Sequence, residues 1–202
     1  MRAIVCENWG DPDTLKLGEL PVPEMGPGQV RIRMRAAGVN FADTVLVRGH
    51  YQEKPELPFA PGLEGAGEIL EVADDVTDFK PGDRGMAVAS TGGFAEEAVC
   101  NAATVFPMPE GMDDATAAAF PVAYGTSHLA LAHRANLQPG ETVLVLGAGG
   151  GVGLTAIECA KAMGATVIAA ASSAEKLALA ADRGADHLIN YTDDDLRAEI
   201  KK

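Results

Sequence analysis

Short apolar or alternating runs, separated by turns rich in Pro and Gly, fill the first 110 residues. "RAIVC", "QVRIRMRAAGV", "GAGEILEVA" and "RGMAVA" read as strands, and "PVPEMGPG", "PELPFAPG" and "KPGDRG" as the turns between them. Lys80-Pro81-Gly82-Asp83 predicts a tight turn leading into a strand. Turns this frequent suit a small irregular barrel better than a flat sheet. After Gly111 the period lengthens. "MDDATAAAF" predicts a helix with Asp113 or Asp114 as its N-cap, Pro121 breaks or bends it, and a second helix runs from about Val122 to His133.

From Glu141 strand and helix alternate. Residues 142–147 read as a buried strand and 151–163 as a helix stopped by Gly164. "TVIAAA" is a second strand, "AEKLALAADRG" a helix closed by Gly184, "HLINY" a third strand, and "DDDLRAEIKK" opens a third helix. This succession predicts right-handed crossovers and a parallel sheet. The chain therefore reads as α/β: a β-barrel domain over 1–120, followed over 121–202 by a β-α-β-α-β unit.

Composition narrows the partners. With 202 residues, 47% hydrophobic and 22% charged, the chain is globular and long enough for one large or two small domains. A net charge of −13 repels nucleic-acid phosphates and anionic membranes, and excludes both as expected partners. The only basic doublet is Lys201-Lys202. No uninterrupted apolar run approaches the ~18 residues of a membrane span. "MRAIVCENWG" lacks a signal-peptide layout, so a cytoplasmic location is expected. Cys6, Cys100 and Cys159 are too scattered for a disulfide framework or a metal knuckle, and Cys159 reads as a small core residue.

"VLGAGGGVGL" carries the clearest chemistry. Ala148-x-Gly150-x-x-Gly153 follows a strand and opens a helix, the context in which such a turn binds a dinucleotide. Ala148 permits the turn, Gly150 lets backbone approach a pyrophosphate, and Gly153 lets the helix pack on the strand. Gly151 and Val152 begin the helix, whose free N–H groups attract an anion. An NAD site usually places an acid at the end of the second strand. Here Ala170, Ala171, Ser172 and Ser173 stand there instead. Ser172 with Lys176 suits a ribose 2′-phosphate and favours NADP(H). In the alternative, Ser172 only caps the next helix in a box with Glu175, and Lys176 is solvated.

"AAGVNFADTVLVRGHY", "PGLEGAGEI", "FKPGDRG", "AYGTSHLAL", "PGETVLVLGAGGGVG", "AKAMGATVIAAASSAEKL" and "GADHLINY" together resemble the medium-chain dehydrogenase/reductase superfamily. Within it, they resemble the zinc-free NADPH:quinone oxidoreductases of the zeta-crystallin-like family. The resemblance covers essentially the whole chain. It implies a GroES-like barrel domain, a Rossmann domain and a substrate cleft between them. Zinc-dependent relatives carry Cys and His where this chain has Asn40 and Leu63, and neither is a zinc ligand. No catalytic metal is expected. Glu64 persists from the zinc pattern and reads as a buried acid bonded to backbone or to an Arg.

The resemblance also implies roles for single residues. Asn40 lies near the nicotinamide ribose and the reacting centre, or else fixes a loop. Tyr51 stacks on a quinone or donates its hydroxyl, or else packs. A second family tyrosine is replaced by Val45. Thr126 contacts cofactor ribose or phosphate, and Lys176 with Tyr191 holds the 2′-phosphate beside Ser172. His50 either shuttles a proton or is a solvated loop residue. The implied reaction is metal-free hydride transfer from NADPH to a small quinone or activated enone. Alternatives are an enoyl-thioester reductase of the same superfamily and a non-catalytic nucleotide-binding or structural protein. Relatives are commonly dimers, so a homodimer is compatible. A full Rossmann sheet has six strands, and three are visible here. Either the chain is a fragment of a longer protein or a partner supplies the rest, and alone it is expected to be weakly active or inactive. NADPH oxidation with a simple quinone at a full-length relative's rate would contradict that.

Overall fold

The computed structural model describes residues 1–201; Lys202, half of the basic doublet, lies outside the described residues. The chain divides into two units, Met1–Val122 and a second from Ala123 onward. In the first, β1 (Arg2–Val5) pairs antiparallel with β2 (Lys16–Glu19). Then come β3 (Gln29–Ala37), α1 (Phe41–Val47), β4 (Glu64–Val72), β5 (Arg84–Val88), β6 (Glu97–Asn101), β7 (Val105–Pro107) and α2 (Asp114–Ala118). Strands β3 to β7 form one antiparallel sheet in the order β6-β3-β4-β5-β7. The four strands expected from the apolar runs are present as β1, β3, β4 and β5. The short β2, β6 and β7, and the helix α1, are additions that those runs do not announce.

The alternation in "QVRIRMR" explains β3. Val30 and Ile32 are fully buried, whereas Arg33 and Arg35 point outward and both pair with Glu68 at 3.2 Å. Arg31 pairs with Glu71, directly opposite in register. Such half-exposed pairs add little. The inward face, Val30, Ile32, Ile69, Ala87 and Val105, supplies the driving force, at roughly 25 cal/mol per Å² of apolar surface removed from water. The first half of β4, Glu64 to Gly67, is buried along its whole length. Ala66 packs with Ala117 and Ala118 of α2. A Cβ at Gly67 would fall 1.9 Å from the Arg33 carbonyl oxygen, so β3 and β4 can approach this closely only at glycine. This packing drives Glu64, the first residue of β4, into the interior.

Asp113 caps α2 by accepting the Thr116 N–H at 2.9 Å. Helix α2 ends at Ala118, and Pro121 begins α3 (Pro121–His128). At that first position a missing N–H costs nothing. The second helix does not run regularly to His133. Residues Leu129–Arg134 widen into a π-helical turn, closed by the Ala135 N–H on the Ala130 oxygen, five residues back, at 2.8 Å.

In the second unit, β8 (Thr142–Leu146), α4 (Gly151–Ala162), β9 (Thr166–Ala171), α5 (Ala174–Asp182), β10 (His187–Asn190) and α6 (Leu196–Glu199) alternate as expected. The strands are parallel, in the order β10-β9-β8. Central β9 is the most buried: Val167, Ala169 and Ala170 are inaccessible. Ile157 and Ala160 of α4 and Ala180 of α5 join Val145 and Val167 in the core. Gly164 (φ +81°) and Gly184 (φ +98°) close the two helices in a conformation that L side chains avoid. The architecture is thus α/β: an antiparallel, half-barrel sheet unit followed by a three-stranded parallel sheet.

Candidate functional site

The glycine turn joins β8 to α4. Gly147 turns the chain, and Ala148, inaccessible, donates its N–H to the Ala170 oxygen at 3.1 Å. Gly150 caps α4, and Gly151 and Val152 are exposed in its first turn. A Cβ at Gly153 would fall 2.4 Å from the Gly147 oxygen. The third small residue is therefore what lets α4 sit against the strand end and aim its first N–H groups outward. Gly149, which the dinucleotide pattern leaves unspecified, also has a task. A Cβ there would fall 2.5 Å from the Lys176 Cβ, so this glycine leaves room for the lysine stem.

Lys176 crosses the turn and donates from Nζ to Ser172 Oγ at 3.2 Å. Ser172 directly follows β9. Ser172 is not the cap of α5. Ser173 is, accepting the Lys176 N–H at 3.4 Å, and no box with Glu175 forms. The extended backbone of Ser173 turns its own hydroxyl, not its neighbour's, onto the helix end, so the Ser172 hydroxyl stays with Lys176. Tyr191, 43% exposed, is brought alongside by its N–H bond to the Ala171 oxygen at 3.2 Å. Thr192 donates to the Ser172 carbonyl at 3.0 Å. Thr126 is exposed on α3. Its neighbour Ser127, 2% exposed, donates to the Val152 oxygen at 3.0 Å and so ties α3 to the first turn of α4. Glycine turn, Ser172, Lys176 and Tyr191 thus converge at the carboxyl ends of β8, β9 and β10. A cradle that Cβ atoms would fill, a helix N-terminus, an ammonium and a hydroxyl fit a dinucleotide carrying a phosphate at its adenosine end.

A second constellation lies in the first unit. Asn40 precedes α1 and forms a reciprocal box with Asp43, whose Oδ2 accepts the Asn40 N–H at 2.7 Å. Asp43 Oδ1 accepts the Leu63 N–H at 3.1 Å. The Asn40 Nδ2 donates to Glu64 Oε1 at 2.8 Å, and Glu64 Oε2 accepts the Val122 N–H at 2.7 Å. Glu64 (2% exposed) and Asp43 (4%) are buried, and desolvation holds both carboxyls above their ordinary range, against the pull of their N–H donors. Sequence reasoning misses Asp43. Its signal is an acid three residues after a capping Asn. Val39 and Phe41, 83% and 82% exposed, flank Asn40 and give it an apolar rim. Tyr51 is half-buried and packs against Cys6, Leu46, Val47, Phe59 and Leu63. Val45 is half-buried and His50 exposed. Among the described residues no three His, Cys, Asp or Glu side chains gather as a metal would require, and no helix is long and apolar enough to cross a membrane.

Comparison with known proteins identifies the family. The alcohol dehydrogenase GroES-like domain family matches residues 26–110, and the zinc-binding dehydrogenase family matches 151–202. The chain belongs to the medium-chain dehydrogenase/reductase superfamily, among relatives of the quinone oxidoreductase type. It is 45% identical over 202 residues to quinone oxidoreductase-like protein 2 of Mus musculus, covering all of this chain and 57% of that protein. The quinone oxidoreductase of Thermus thermophilus, solved alone and with NADPH, is 39% identical, with a TM-score of 0.85; the match covers 100% of this chain and 63% of that one. The Escherichia coli quinone oxidoreductase, solved with NADPH, is 30% identical, with a TM-score of 0.92; the match covers 100% of this chain and 62% of that one. The chain thus spans less than two thirds of the length of each of these relatives.

Proposed function

We propose that the protein is an NADPH-dependent, metal-free oxidoreductase that reduces a quinone or activated enone. The second unit binds the cofactor and the first meets the acceptor. The observation that carries the reading is the end of β9, where Ser172 and Lys176 are paired and no carboxylate stands to claim a ribose 2′-hydroxyl. A dianionic 2′-phosphate would draw the Lys176 ammonium from its weak bond to a neutral hydroxyl into a charge-assisted one. NADPH, when bound, supplies a hydride. The first N–H groups of α4, with Gly150, Gly151 and Val152, hold the pyrophosphate, and Thr126, Lys176 and Tyr191 hold the ribose and phosphate groups. Asn40 orients the reacting end, and its rim of Val39 and Phe41, together with Tyr51, suits a flat apolar acceptor. Such an acceptor takes hydride without a Lewis acid, which agrees with Asn40 and Leu63 standing at the zinc-ligand positions. Free cysteines agree with a reducing, cytoplasmic location.

Calorimetry with NADPH and NADH tests the reading. Lys176→Ala and Ser172→Ala should weaken NADPH binding, the lysine change by about 10- to 100-fold, and leave NADH binding nearly unchanged. Ser173→Ala, which removes only a helix cap, should lower stability without changing the preference. Equal loss for both cofactors in Lys176→Ala would refute the assignment. Turnover with a naphthoquinone against a crotonyl thioester then identifies the acceptor class.

A further inference from the structure

We propose that Glu64 is a positioning residue, fixing which atoms of the Asn40 amide face the reacting centre. The proposal rests on the reading above that Asn40 lies there. An asparagine amide has a donor end and an acceptor end, and a half-turn about its last bond exchanges them. At Asn40 that turn is blocked by Glu64. The Glu64 carboxylate can only accept, so Nδ2 must face it, and does, at 2.8 Å. The Asp43 N–H is already taken by the Asn40 carbonyl oxygen at 3.1 Å, so the Glu64 contact is what sorts the two ends of the amide. Glu64 is itself held in place. Its other oxygen holds the Val122 N–H, and it is 2% exposed. The site is built to admit it, because a Cβ at Gly38 would fall 2.2 Å from Glu64 Oε1. One Nδ2 proton is spent on Glu64, which leaves the second as an oriented donor toward a ligand.

Glutamine at position 64 should reverse this polarity without changing shape. It has a single acceptor oxygen, and the Val122 N–H requires it. Its amide nitrogen then faces Asn40, whose amide must turn to present oxygen. The paired change N40D/E64Q makes the contact good again in the opposite sense, with the introduced aspartate accepting. It keeps the net charge and the helix cap, but position 40 no longer donates.

The test compares the wild type with N40A, E64Q and N40D/E64Q, using side-chain amide NMR and thermal melting on the 202-residue chain, and NADPH–naphthoquinone kinetics with the same changes in a protein that carries the complete Rossmann sheet. In the wild type the Asn40 Nδ2 protons should exchange slowly, and in E64Q that protection should be lost. E64Q should lower kcat about tenfold, with KM for NADPH within about threefold. The paired variant should regain Tm to within about 2 °C of the wild type while kcat stays low. An unshifted Asn40 signal in E64Q, or a paired variant that recovers kcat together with Tm, overturns the proposal. N40A with wild-type kinetics overturns instead the placement of Asn40 at the reacting centre, and the NMR signal alone then decides the link to Glu64.

Discussion

Single residues decide the geometry of both constellations, and each illustrates a limit of reading one position at a time. Asn40, Glu64, Ser172 and Lys176 are all recognisable from their surroundings in the chain. Which of two adjacent serines caps α5 is not, because a one-residue choice at a helix end depends on backbone angles that both could adopt. Asp43 escapes notice although it is nearly as buried as Glu64. These two acids set a pH dependence. Burial raises the Glu64 pKa above its unfolded value, so the folded protein binds this proton more tightly. The resulting stability is fully present below the ordinary glutamate value, about 4.3, and is lost as pH rises through the folded value. E64Q has no such proton. The Tm difference, wild type minus E64Q, should therefore grow as pH falls from 8 toward 5. Melting curves across that range check it, and a difference that shrinks on acidification would reverse the assignment.

Elements are legible in proportion to their length and regularity. The alternation of β3, the repeated strand–helix period after Glu141 and the glycine stops at Gly164 and Gly184 all act within a few residues. The three-residue β7 and four-residue β2 are too short for a period to show, and they form because longer neighbours offer them a pairing edge. Helix α1 is hidden because it follows β3 after only three residues, Gly38, Val39 and Asn40, within a region dominated by strand signals. The junction of β8 and α4 is the element-scale device on which the proposed cofactor binding depends. Gly153→Ala would place a methyl 2.4 Å from the Gly147 oxygen, so α4 must slide outward. A loss of stability of about 1–3 kcal/mol is expected for such overpacking, with weaker NADPH binding alongside. Urea denaturation and calorimetry on the same variant check both. Full stability in Gly153→Ala would show that the turn has slack and that the glycine serves some other end.

At the scale of the whole molecule, β8 is paired on one side only, with β9, among the described residues. Leu146 at its end is 61% exposed, and Leu188 on β10 45%. An apolar strand edge of this kind invites pairing with another chain. Leu146→Lys should reduce self-association of the 202-residue chain, read by sedimentation velocity over a concentration series. A wild-type chain already monomeric at the highest concentration would remove the basis for that expectation. The fold class, the parallel order of the second unit and the glycine turn follow from residues close together in the chain, where period, caps and turn glycines act. What sequence does not reach are meetings between distant segments. The Asn40 amide finds Glu64 only because β3 and β4 approach at Gly67 and α2 packs on Ala66. Lys176 reaches Ser172 only because Gly149 leaves room for its stem. Local propensity cannot specify such contacts, since they exist only once non-local packing has closed the chain upon itself.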